Sequence, residues 1–200
     1  MPALLILLLL NPVAIASSKP DPRSLWDLPS IHALPLDVEI SQPKPRAPSA
    51  SAIKPSINKV TIDGKWTAPD EWRDATEFPE DLGCFLIKRD ESFLYVLIDF
   101  IKDATPDDGD CGRVRLDINN DKSDALQPDD YMISLDWRGG VAKKTIYHND
   151  GKIWKGMEGD PLGVEAASTN DAANDPYSTS PHMIYEFAIP MGIFGDRSEI

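Results

Sequence analysis

The sequence predicts an all-β fold, an antiparallel β-sandwich of immunoglobulin-like or jelly-roll-like type with one short helix. Three observations carry this. The apolar residues of the second half recur with a period of two rather than 3.6. The alternating runs are short and separated by Gly, Asp, Asn and Pro turn signals. Almost no stretch shows a helical stripe, and such a pattern buries itself as sheet packed on sheet.

The elements follow in order. Phe93 to Ile101 is nearly all apolar, as expected of a strand covered on both faces. In Arg113–Asn119, Val114, Leu116 and Ile118 alternate with polar residues and face inward. Tyr131, Ile133, Leu135 and Trp137 repeat the pattern, with Met132, Ser134 and Asp136 opposite. Tyr185, Phe187 and Ile189 do so again. Shorter candidates are Lys59–Ile62, Phe85–Lys88, Ala142–Tyr147, Lys152–Lys155 and Val164–Ser168. Arg89-Asp90-Glu91, Arg138-Gly139-Gly140 and Asn149-Asp150-Gly151 mark turns, the last two as hairpins. Ala68-Pro69-Asp70-Glu71-Trp72 suits a short helix, with Pro at its first position and acids in its first turn; Trp72 then packs on the sandwich.

Three segments organise the chain. Leu4 to Leu10 is an unbroken apolar run followed by Val13-Ala14-Ile15-Ala16, the pattern of a secretory signal peptide over residues 1–16. The run is too short to span a membrane. Residues 17–58 are punctuated by eight prolines and read as an extended, disordered linker. Residues 59–200 form the domain.

Among 200 residues there are 33 acids and 20 bases, a net charge of −13, and no basic run, which argues against a nucleic-acid partner. From Lys59 onward there are 29 acids and 15 bases, so the acidity belongs to the domain. Its densest part runs from Asp117 through Asn119, Asp121 and Asp124 to Asp129 and Asp130. Oxygen-bearing residues at such spacing around a turn suit a hard cation such as calcium, which takes six to eight oxygens. The spacing is not that of an EF-hand, and a solvated acidic hairpin loop is the competing reading.

Cys84 and Cys111 are the only cysteines, and in a secreted chain a pair most simply forms one disulfide. The three histidines form no constellation, and HExxH, GxSxG and GxGxxG are absent, so the chain is not read as an enzyme. Tryptophans near turns can present rings to sugars. Trp154, in the polar Gly151–Gly156 hairpin, is the best candidate, Trp66 is another, and Trp137 points inward.

Several segments line up in one order: Ile62-Asp63-Gly64, Asp70-Glu71-Trp72, Phe93–Val96 with Lys102-Asp103, Val114–Asp121, Asp129-Asp130-Tyr131 and Tyr185–Pro190. This series resembles the family 9 carbohydrate-binding module, one of the DOMON-like extracellular β-sandwiches. The resemblance implies a two-sheet sandwich with calcium in the loop after Asp117, structural roles for Trp72 and Glu186, and a glycan as partner. It also implies association with a catalytic domain such as a secreted glycoside hydrolase. The sequence departs from the family at both sugar-clamping aromatics. Asp107–Cys111 has no ring where one is expected, and the chain reaches Ile200 where the last strand should start. Sugar binding then requires another surface, such as one built around Trp154 or Tyr147. Two alternatives remain: a haem-binding electron-transfer domain with ligands among Met132, Met157, Met183, His148 and His182, or a ligand-free adhesive cell-surface domain.

Overall fold

A computed structural model describes the backbone of Leu5–Leu8 and residues 53–119 and 127–195. The region of the expected signal cleavage site, the Pro-rich stretch up to residue 52, and Asp121 and Asp124 lie outside the described residues.

The alternating runs form strands in two sheets. The first, sheet I, has the order β1-β6-β7-β8-β9, with β1 at Leu5–Leu8, β6 at Cys111–Asp117, β7 at Asp130–Arg138, β8 at Val141–Asn149 and β9 at Trp154–Gly156. The second, sheet II, has the order β10-β11-β5-β4-β2, with β3 also paired to β4. Its strands are β2 at Lys54–Pro55, β3 at Thr76–Glu80, β4 at Gly83–Arg89, β5 at Phe93–Asp99, β10 at Glu165–Thr169 and β11 at Ile184–Pro190. All pairings are antiparallel except β2 with β4.

The period-two pattern explains the layering. Val114, Leu116, Ile133, Leu135 and Ile146 from sheet I share one core with Phe85, Ile87, Val96, Ile98, Tyr185 and Phe187 from sheet II. The next residues along the same sheet II strands, Cys84, Leu86, Leu97 and Ile184, face the other way. They form a second cluster with Trp66, Trp72, Ala75 and Ala172. Strand β5 contributes to both clusters, which is why its sequence is apolar on both faces. The β7–β8 hairpin turns through Gly139 and Gly140 at φ 58° and 81°, the pair of positive values that matches strand twist.

Three expectations are corrected, and one strand was not expected. Residues 68–75 make successive turns closed by Ala68, Asp70 and Trp72 carbonyls, not a helix, and the helical residues of the described chain are a 3₁₀ turn at Met191–Phe194. Lys59–Ile62 is not a strand. Thr76–Glu80 is one, although Pro79 and three polar residues hide it; among the described residues it pairs with β4 alone, and Pro79 is tolerated in such an edge strand. The ordered fold also begins before Lys59: Ile53 is buried in the core and Lys54–Pro55 pairs with β4. Leu5–Leu8, within the apolar run read as a signal, pairs as an edge strand along β6 in the uncleaved chain.

Candidate ligand-binding face and carboxylate cluster

The alternation that sends Val114, Leu116, Ile133 and Ile146 inward sends their neighbours to the outer face of sheet I. Strand register then fixes which of these stand side by side. Arg115 lies opposite Met132, Met132 opposite Tyr147, and Tyr147 opposite Gly156, a row across four strands. At the end of the same face Asp117 lies opposite Asp130, and Asn149 opposite Trp154.

Trp154 and Tyr147 are both half-buried. The Arg115 guanidinium sits over the Trp154 ring, 5.5 Å from its centroid, a cation–π contact that fixes the indole. Met132 is buried in the same row. Burial and nearby Arg113 depress the Arg115 pKa, which marks a guanidinium partly withdrawn from water. Two polar atoms of this face are buried without a hydrogen-bond partner: Arg115 Nε and Asn149 Nδ2. Asn149 is fully buried, and its Oδ1 accepts from the Gly151 N–H at 2.7 Å, which leaves the amide nitrogen as the unmatched group.

The acidic loop converges beside this platform. One carboxylate oxygen each from Asp117, Asp129 and Asp130 lie within 4.8 Å of one another. Asn119 approaches through its backbone, whose N–H donates to Asp129 Oδ2 at 2.9 Å. The Gln127 N–H donates to Asp130 Oδ2 at 2.8 Å. Of the six residues expected to ligate a cation, three are brought together by carboxylates, Asn119 is adjacent, and Asp121 and Asp124 lie outside the described residues. Three carboxylates offer hard oxygens, the donor chemistry of a calcium site.

Trp66 is not part of an exposed surface. It is 2% exposed, its indole donates to Asp99 Oδ2 at 3.3 Å, and its ring meets Tyr177 edge-on. The sequence signal misled here because a turn-proximal tryptophan can as easily be the apolar anchor of that turn. The expected disulfide is also corrected. Cys84 and Cys111 are free, one on β4 of sheet II and the other opening β6 of sheet I. Burial and the Asp99 carboxylate push the Cys84 thiol well above its ordinary range, which favours the protonated thiol over the thiolate.

The haem-ligand candidates are scattered. Met183 is in the inter-sheet core, Met132 lies under the platform, His148 Nε2 bonds the Pro128 carbonyl, and His182 Nε2 bonds Asp99.

Sequence reasoning missed Arg115 and Asn149 on the sheet I face. Arg115 carried a signal, since it sits out of phase between two inward apolar residues, but that pattern is shared by any solvated strand position. It also missed a buried group on sheet II, in which Asp99, Asp175 and His182 converge. These come from segments far apart in the chain, so no local motif announces them.

No protein-family model, curated protein or solved structure matches this chain. Among the described residues no helix is long and apolar enough to cross a membrane.

Proposed function

We propose that the protein is a secreted, non-catalytic carbohydrate-binding module that presents the outer face of sheet I to a glycan. The observation that carries this reading is the juxtaposition on one face of half-buried Trp154 and Tyr147 with the Arg115 guanidinium that sits over the indole. Aromatic rings stack on the apolar faces of sugars. The half-buried Arg115 guanidinium beside the rings carries N–H donors suited to sugar hydroxyls. The resemblance to family 9 modules supports the same class, and a partner catalytic domain would supply the chemistry.

Calcium is proposed as a structural ion at Asp117, Asp129 and Asp130. Those carboxylates lie where β6 and β7 meet the loop between them, so an ion there would tie the loop to the strand ends that carry the platform. At 100 times its Kd such an ion stabilises the fold by about 2.7 kcal/mol. The test is a melting curve of the calcium-loaded protein with and without excess EDTA. A drop in Tm that Asp117→Asn abolishes supports the ion, and superimposable curves remove it. A glycan array followed by titration calorimetry tests the ligand, and no bound glycan removes the binding function.

A further inference from the structure

A second group of ligating side chains lies on the opposite side of the molecule. Asp99 ends β5, His182 precedes β11, and Asp175 belongs to the loop leading to it. All three side chains are completely buried. His182 Nε2 is 2.6 Å from Asp99 Oδ1 and 3.2 Å from Asp175 Oδ2, and the three donor atoms lie within 4.8 Å of one another. This is a mixed imidazole and carboxylate set from three separate segments.

We propose that Asp99, Asp175 and His182 form a buried site for a divalent transition metal, zinc foremost. Three features support it. The first is the tautomer. His182 Nδ1 lies 2.7 Å from the Ser180 carbonyl, which can only accept, so Nδ1 carries a proton. A neutral His182 therefore has its lone pair on Nε2, aimed at the two carboxylates. This is the outer hydrogen bond that fixes a metal-ligating histidine.

The second is orientation of the carboxylates by groups outside the set. Trp66 Nε1 donates to the other Asp99 oxygen at 3.3 Å. The Tyr177 and Ser178 N–H groups hold Asp175 at 2.8 and 3.0 Å. Tetrahedral zinc with bonds of about 2.0–2.2 Å needs its ligand atoms roughly 3.4 Å apart, so a sub-ångström relaxation admits the ion.

The third is charge. With an imidazolium between two carboxylates the buried group carries a net negative charge in a dry environment. A divalent ion on neutral His182 makes it neutral. Nε2 lies within hydrogen-bond distance of both carboxylates, so a proton there is held between them. Metal uptake displaces that proton from Nε2 and releases it to solvent.

The test uses the full-length, tag-free protein, stripped with a chelator, exchanged into excess zinc or no metal, and desalted. The expected results are about one zinc per chain by elemental analysis and loss of the His182 Nε2–H signal in ¹⁵N-edited spectra on zinc addition. Asp117→Asn should leave zinc retention intact. Asp175→Asn and His182→Gln should lower zinc affinity by more than roughly 100-fold, beyond what loss of an outer partner costs. A wild-type protein that retains no zinc, or whose His182 keeps both ring protons in excess zinc, overturns the proposal. The wild-type spectra decide the matter even where a variant fails to fold.

Discussion

The outward faces of the two sheets are built from the same alternating code and end in opposite states. On sheet II, residues 58–75 and 170–182 close over the face, and the buried charged groups Glu186, Lys88 and Glu71 are matched beneath them, although Asp63 Oδ1 in the covering segment has no partner. Glu186, fully buried, accepts from the Asp63 and Gly64 N–H groups and from Trp72 Nε1 at 2.8–3.0 Å. Buried Lys88 donates to the Asn58 and Glu71 carbonyls and pairs with Asp74 at 2.7 Å, with its ammonium over the Trp72 ring. Glu71, also buried, accepts from the Thr61 and Thr67 N–H groups. On sheet I, half-buried aromatics stand beside the two partnerless donors. A face covered by the chain, with its charged groups paired beneath the cover, serves folding. A face that keeps half-buried rings and a half-buried guanidinium at its surface is suited to something outside the chain.

The two faces should differ most in stability. Glu186→Leu strands three buried donors, and Lys88→Met leaves Asp74 without its cation. Each should cost about 3–5 kcal/mol in chemical denaturation. Equivalent losses for Arg115→Ala and Tyr147→Ala would erase the distinction between the faces.

A second consequence is a pH dependence located on sheet II. Burial raises the Glu186 carboxyl from 4.5 to about 8, a rise that Glu71 adds to and that the three donated hydrogen bonds oppose. Between these values the fold holds a proton that the unfolded chain has released. The contribution of Glu186 is thus complete below pH 4.5 and is lost as pH rises toward 8. Tm followed over this range should fall with pH in the wild type and flatten in Glu186→Gln. A Tm difference between the two that does not change with pH would remove the assignment.

Smaller effects sharpen the contrast. Trp154→Ala should change stability by no more than about 1 kcal/mol, as for a partly exposed side chain, while its cost appears in binding. Reducing agent should leave Tm unchanged, because Cys84 and Cys111 are unpaired. A thiol assay should find both after unfolding. A lower Tm in reducing agent would restore the disulfide.

The layering of the fold was legible in the sequence because strand period and turn chemistry are local. Val114, Leu116, Ile133 and Leu135 declare their face without knowledge of their neighbours. The doubly apolar run of β5 declared two covered faces, which the two clusters bear out. Thr76–Glu80 was not legible, since its strand state comes from pairing with β4 and not from its own residues. The short helix was misread because Pro69 and the acids after it suit any turn as well as a first helical turn. The site was half legible. The convergence of Asp117 with Asp129 and Asp130 follows from the two strands bracketing an acidic loop. Asn149 beside Trp154, and His182 beside Asp99 and Asp175, exist only through register and long-range closure.

We propose the outer face of sheet I as the ligand face. This is tested most directly by titrating the wild-type protein, Trp154→Ala and Arg115→Ala with the strongest glycan from an array. Affinity should fall at least roughly tenfold in each variant, a loss of about 1.4 kcal/mol or more, with Tm little changed. Unaltered affinity in both variants, or no glycan bound by the wild type, would contradict the account.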